Sequence, residues 1–332
     1  MTDERRVTLR HRLEFAAVRA LSFLVGIGGP AFGRLLAVIV GSAIWVVAER
    51  RRRIVELNLD IAFGDTMTAR EKRGIGRRSS VSMVQIALEM MLRRTRSDHS
   101  WIQCTEDPPY ATSLDTETPN GLLYLSAHHG NWELGHWWCG QRGKPCLTIG
   151  RTLDNPLLEA WVSDSRGAHE SALSINKPGA FLRVAKRLAQ GGTVALVVDQ
   201  NNRHDPLFVP FFGVEAAFHM AWAKLALRLR PRVVFCVSTR QGFGRFHYLA
   251  RELFIPESGT EEERARALVE AYGRALEEAI RVNPDQYLWS HQRYRTRPPG
   301  EPPIYPVKRR RQVEPAPSPS TAGPQSATKE LV

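Results

Sequence analysis

The hydrophobic pattern divides the chain into three zones. Residues 1–53 hold two apolar runs, Leu21–Phe32 and Leu35–Ala48, parted by Gly33-Arg34, with Gly28-Gly29-Pro30 interrupting the first. Each run falls short of the roughly 20 residues a helix needs to cross a bilayer. Together they predict a tilted span, a re-entrant hairpin or a pair of membrane-surface helices; the competing reading is a buried helix with a solvated basic end. Residues 54–97 read as helical. Thr68-Ala69-Arg70-Glu71 has the form of a capping box, and Val81–Leu92 is apolar on most faces, so it should be buried. Glu89 within that run must then be paired or face a site, because burying a lone carboxylate is costly.

From 120 to 250, short apolar runs alternate with segments of helical period. Gly121–Leu125, Cys146–Gly150, Thr193–Val198, Val233–Val237 and Phe246–Ala250 predict strands. Pro156–Arg166, Gly179–Gln190 and Glu215–Arg230 predict helices. The alternation predicts an α/β layered domain, a mostly parallel central sheet flanked by helices. Residues 261–282 form an amphipathic helix with Leu268, Tyr272, Leu276 and Ile280 on its apolar side. From Pro298 the composition turns to Pro, Ser, Arg and Thr, and residues 312–332 are expected to be disordered. The expected division is 1–53 as a membrane-associating segment, 54–300 as the main domain and 301–332 as a basic Pro/Ser-rich tail.

Charge sharpens this picture. The 332 residues carry a formal net charge of +12, which calls for an anionic partner: a lipid surface, an acidic protein or nucleic acid. Arg50-Arg51-Arg52-Arg53 directly follows the apolar segment, as in clusters that meet anionic headgroups on the cytoplasmic side. A solvated or lipid-contacting role also suits Lys308–Arg311 better than nucleic acid does. The four cysteines show no CxxC spacing and read as free thiols of a reducing compartment, with no structural zinc. The glycines near residue 28 lack both the spacing and the preceding strand of a nucleotide loop.

The chemistry centres on Ser126-Ala127-His128-His129-Gly130-Asn131-Trp132-Glu133. Five helical residues turn about 500°, so His128 and Glu133 do not share a helix face. They meet only if His128 lies outside the helix and Glu133 in its first turn. Gly130 permits that break and Asn131 suits its N-cap. Glu133 then accepts from one imidazole nitrogen while the other takes a proton. His129, four residues from Glu133, is the rival base. A metal reading of His128 and Glu133 lacks a third ligand at any recognisable spacing. No G-x-S-x-G elbow and no well-placed cysteine supplies a nucleophile, so the hydroxyl to be activated belongs to a substrate. Arg151, Arg203 and Arg240 are candidates for anionic groups of that substrate. Asp199, at a strand end, is either a substrate contact or an Asx-turn. Asn131 is a candidate contact besides its cap role. Phe211 and Phe212 suit an acyl pocket or plain core.

The His128-x4-Glu133 stretch resembles the H-x4-D/E signature of glycerolipid-type acyltransferases. The chain is more narrowly similar to the bacterial lipid A late acyltransferases and to relatives that acylate phosphatidylinositol mannosides. Asn58-Leu59-Asp60-Ile61-Ala62-Phe63, Gly150–Pro156, Val198-Asp199-Gln200, Val209-Pro210-Phe211-Phe212-Gly213, Val233–Arg240 and Pro284–Pro298 resemble further blocks in the family's order. The resemblance implies an acyl carrier protein donor, or acyl-CoA, and a phosphorylated glycolipid acceptor at the cytoplasmic face of the inner membrane. It implies His128 and Glu133 as catalytic residues, and no cofactor or metal. The competing class is a non-enzymatic basic protein that binds acidic lipid or nucleic acid.

Overall fold

The computed structural model describes residues 6–150, 152–165, 172–174 and 179–306. Arg151 and the tail from residue 307, including the segment expected to be disordered, lie outside the described residues.

Helix α1 (Leu9–Val47) opens at Thr8, whose Oγ1 accepts from His11 N at 3.2 Å. The two apolar runs lie within these 39 residues, which form two helical arms joined at a kink. Gly33-Arg34 does not break the second arm. The kink falls at Gly29, at φ 67°, because Pro30 lacks an amide and disfavours helical backbone in the residue before it. A stripe of small residues on α1 (Gly29, Gly33, Ala37 and Gly41) is buried. A Cβ at Gly41 would stand 2.5 Å from the backbone of Val81, so glycine is what lets the two helices touch there. On the other sides of α1, Leu24, Ile27, Leu35, Ile39 and Val47 are exposed. Among the described residues α1 is the one helix long and apolar enough to cross a membrane.

Helix α2 (Glu49–Phe63) carries the arginine run, and α3 (Ala69–Thr95) packs along α1. The expected capping box is formed: Thr68 Oγ1 accepts from Glu71 N at 3.3 Å and Glu71 Oε2 accepts from Thr68 N at 2.7 Å. Ser82, Ile86, Leu88, Glu89, Met90 and Leu92 of α3 are buried as expected. Met83, Val84 and Met91 are only half covered, and Ala87 is exposed.

There follow β1 (Gln103–Glu106), α4 (Pro108–Asp115), β2 (Leu122–Ser126), α5 (Gly135–Gln141), β3 (Cys146–Gly150), α6 (Pro156–Ser165) and β4 (Ala172–Ser174). Next come α7 (Ala180–Ala189), β5 (Thr193–Val197), β6 (Leu207–Phe211), β7 (Val214–Phe218), α8 (Ala221–Leu229), β8 (Arg232–Gly242), β9 (Arg245–Glu252) and α9 (Glu261–Val282). Seven strands form one sheet in the order β1-β9-β8-β2-β5-β3-β4. Every neighbouring pair is parallel except β8–β9. This is the expected α/β layered architecture with its mostly parallel sheet.

The helix expected over Glu215–Arg230 begins late. Its first residues are strand β7, hairpinned to β6. Phe212 and Gly213 both take positive φ, 50° and 75°, the geometry of a tight two-residue hairpin turn. Pairing with Phe208 and Val209 then overrides the helix preference of Ala216 and Ala217, which are fully buried. Phe211 and Phe212 pack in the main core with Phe63, Trp289 and Tyr294, so they are core residues.

Alternation in β2 sends side chains to two different interiors. Leu123 and Leu125 join α9 residues Leu268, Tyr272 and Leu276 in the larger core. Leu122 and Tyr124 face a smaller cluster with Tyr110, Cys139, Val234 and Cys236. The cysteines are free thiols, three of them buried.

Candidate active site

The register of two parallel strands builds the site. Ser126 of β2 stands opposite Val197 of β5, and Val198 N donates to Ser126 O at 3.2 Å. Two residues further on, past the ends of both strands, His128 therefore faces Asp199. The ring Nδ1–H of His128 donates to Asp199 Oδ1 at 2.7 Å, and the His128 amide donates to Oδ2 at 3.1 Å. One carboxylate thus fixes both the backbone and the ring. Asp199 is 2 % exposed, while the His128 side chain keeps 17 %. Burial by itself raises the Asp199 carboxyl, but the His128 charge and hydrogen bonds outweigh it and hold the group below the usual carboxylate range.

With the proton on Nδ1, His128 Nε2 is left with its lone pair. It accepts from the Gln200 amide at 3.2 Å. The edge of the Trp132 ring packs against the imidazole, centroids 4.8 Å apart. A weakly bound, partly exposed imidazole nitrogen whose opposite nitrogen is held by a carboxylate is equipped to take a proton from a bound hydroxyl.

The expected His128–Glu133 hydrogen bond is replaced by this pairing. Gly130 does break the chain, at φ 61°, and Asn131 does cap the next turn, its Oδ1 accepting from Glu133 N at 3.2 Å. The turn is a short 3-10 helix over Trp132–Leu134. It carries Glu133 into the lining of a slot beside Trp132, where the carboxylate acts on the buried guanidinium of Arg93. The slot runs down the sheet face from Trp132 and Glu133 past Ser126 to Tyr124, Cys236 and Tyr248. Gly130 is required for a second reason. A Cβ there would lie 1.5 Å from the carbonyl oxygen of Ser238 on β8.

His129, the rival base, turns inward. It is fully buried, its Nε2 donates to Asn283 O at 3.2 Å, and burial lowers it to about 4. It cannot reach a bound substrate.

Arg240, expected to hold an anionic group, is instead committed to α3. Its Nη2 and Nε meet Glu89 at 2.8 and 3.1 Å, and Nη1 donates to Ser82 Oγ at 2.7 Å. Side-chain exposure is 6 % for Arg240 and 0 % for Glu89. The Glu89 carboxylate also accepts from Asn131 Nδ2 at 2.7 Å and from Gly244 N at 3.2 Å. The reason is desolvation: a buried carboxylate demands a cation, and Arg240 is the one within reach. The same bond ties Asn131 into the interior, which leaves its side chain structural. Arg203 is exposed on the loop after Asp199. Arg151 is outside the described residues.

The closing segment completes the site, and here sequence reasoning missed residues. His129 bridges Tyr287, Leu288 N donates to His128 O at 3.0 Å, and Gly130 N donates to Gln286 O at 3.0 Å. His291 Nε2 accepts from Asn201 N at 3.0 Å. Asn58, the first residue of the Asn-Leu-Asp-Ile-Ala-Phe segment, donates to Trp289 O and His291 O at 2.7 and 2.8 Å. Gln200 and Asn58 stand in the Val198-Asp199-Gln200 and Asn58–Phe63 blocks that resemble the family, but only their contacts show what each side chain holds. Among the described residues, no three His, Cys, Asp or Glu side chains are grouped to hold a metal ion.

The family model described as bacterial lipid A biosynthesis acyltransferase matches residues 3–296. A lipid A biosynthesis lauroyltransferase of Escherichia coli K12 is 26% identical over 260 residues, covering 77% of this chain and 83% of the relative. A lipid A biosynthesis palmitoleoyltransferase of the same organism is 30% identical over 190 residues, or 56% of this chain and 59% of the relative. A lipid A biosynthesis acyltransferase of Shigella flexneri matches to the same extent.

Proposed function

The chain belongs to the bacterial lipid A biosynthesis acyltransferase family and is an acyltransferase, and from that premise we propose that it moves a fatty acyl chain from a carrier thioester to a hydroxyl of a phosphorylated glycolipid of the lipid A precursor type. His128 is the general base. Its Nε2 takes the hydroxyl proton, the freed oxygen attacks the thioester carbonyl, and the tetrahedral intermediate collapses. The C–S bond breaks, the ester C–O bond remains, and the imidazolium returns its proton to the leaving thiolate. Asp199 stabilises the imidazolium and keeps the ring turned, the role of an acid behind a base. No enzyme-bound acyl group is needed. The slot below Trp132 takes the donor's acyl chain.

The observation that carries this reading is the 2.7 Å bond from His128 Nδ1 to Asp199, within a segment that the family match covers. The donor is an acyl carrier protein, with acyl-CoA as the other thioester class. Both carry phosphate or acidic charge suited to a chain of net charge +12. Helix α1 lies in the inner membrane, and Arg50–Arg53 meet anionic headgroups at the cytoplasmic face.

The test is transfer by the full-length protein in detergent. Acyl carrier protein and coenzyme A thioesters are each offered with a lipid A precursor or a phosphatidylinositol mannoside, and products are read by mass spectrometry. The precursor should gain one acyl mass as free thiol appears. No gain with either donor overturns the reading; gain only on the mannoside reassigns the acceptor.

A further inference from the structure

We propose that the acceptor lies in the groove between α1 and α3, one of its acyl chains among Trp45, Met83, Val84, Ala87 and Met91 and its phosphate on Arg51. The proposal rests on the acyl-transfer reading above and names the seat of its second substrate.

Three observations point there. The first is apolar side chain left uncovered. Met83, Val84 and Met91 are half-buried and Ala87 exposed on a helix whose other side, with Ile86, Leu88 and Leu92, is core, and with Leu21, Ile44 and Trp45 they line one continuous groove. Apolar surface of this kind, continuous with the exposed apolar sides of α1, has no reason to persist in water. It suits a hydrocarbon chain entering sideways from a bilayer.

The second is charge at one end only. Arg51 and Arg52 stand at the mouth. Arg52 is engaged: Nη1 donates to Trp45 O and Val46 O, and Glu56 lies 4.0 Å away. Arg51 is exposed, bound through Nη1 to Ser290 O at 3.3 Å, and has no carboxylate partner among the described residues. An apolar trough ending in a cation without a counter-ion matches an amphiphile whose head is a phosphate.

The third is position. Leu288, Ser290 and His291 roof the groove. His291 receives Asn201 N, and the neighbouring Gln200 touches His128 Nε2. A lipid whose phosphate rests on Arg51 therefore presents its sugar hydroxyls toward the proposed base. The slot beside Trp132 shares no lining residue with this groove and remains for the donor.

The test uses two variants of the full-length protein in detergent, Arg51→Glu at the mouth and Ala87→Trp in the trough. Neither residue belongs to the catalytic pair. Two rates are read: transfer to a lipid A precursor as its concentration varies, and slow hydrolysis of the donor thioester without acceptor. Loss of one charge-assisted hydrogen bond raises the acceptor KM roughly tenfold or more. Both variants should show that rise with donor hydrolysis unchanged. Unchanged acceptor KM in both overturns the groove, as does an equal loss in both assays. Weaker binding to phosphatidylglycerol vesicles with normal acceptor KM also overturns it, since Arg51 is then a membrane contact only. Should Ala87→Trp not fold, Arg51→Glu decides, because its side chain is exposed. Wild-type protein that hydrolyses the donor yet acylates no acceptor defeats the transfer reading itself, an outcome separate from these.

Discussion

Two carboxylates are buried around the same turn, and their partners differ. Glu89 faces Arg240, Asn131 and Gly244, with a hydrogen bond on each side of both oxygens. Its cation never gives up its proton, so the pair can only hold things in place. It pins α3 to β8 and to the cap of the turn. Asp199 faces His128, the proposed base, whose imidazole has a second nitrogen able to accept a substrate proton and pass it on. That pair can change state. Both carboxylates lose their water on burial, and a partner that can relay a proton, on the proposed reading, is what separates chemistry from scaffold.

Substitutions can break this contrast. His128→Ala should cost the most, with kcat falling by roughly 10³ to 10⁴ and the melting temperature little changed, read by acyl transfer beside thermal unfolding. An active variant would place proton transfer elsewhere. Arg240→Met should do the reverse. It strands a buried carboxylate and lowers stability by about 3–5 kcal/mol, measured by denaturant unfolding. The double variant Glu89→Leu/Arg240→Met should recover much of that loss.

Acid should separate the adjacent histidines. Burial holds His129 at about 4 against an ordinary 6.5, so between those values the unfolded chain binds more protons than the folded one. The stabilisation from a neutral His129 is complete above about 6.5 and is lost as pH falls through 4, up to ~3 kcal/mol. Asp199, held low, adds loss in the same direction at still lower pH. A His129→Asn variant should flatten the upper part of that slope. Asp199→Asn should reduce transfer by roughly 10²- to 10⁴-fold, through the wrong tautomer and a less stable imidazolium, at less cost in stability than Arg240→Met. Glu133→Gln should have the smallest effect, below about tenfold, since Glu133 lines the slot and does not hold the ring. A larger loss there than in Asp199→Asn would restore Glu133 as the partner of His128.

Much of this architecture was legible from local pattern. The strands β2, β3 and β5 were marked by apolar runs, the α3 start by Thr68 and Glu71, and the need for a partner at Glu89 by its setting in an apolar helix. The break at Gly130-Asn131 also followed from the residues there. What escaped was long-range. Asp199 stands 71 residues from His128, and only the β2–β5 register brings them together, whereas Glu133 was near in sequence and of the right type. Arg240 looked like a substrate arginine because nothing local announces that α3 will require it. The strand at Val214–Phe218 was hidden by alanines whose preference yields to a hairpin partner. Along α1, Gly28-Gly29-Pro30 marked the kink correctly, whereas Gly33 is packing surface and not a break.

The α1–α3 packing and the His128–Asp199 bond differ in how far along the chain their partners lie. Every residue of the helix pair is contained in the first 95, while the bond waits for β5 and its roof for residues beyond 283. Contacts between neighbours in sequence close sooner than distant ones. During synthesis the apolar helix pair is therefore complete while the catalytic end is still unmade. On the membrane seat proposed for α1, a chain released from the ribosome short of Trp289 should bind lipid vesicles and transfer no acyl group.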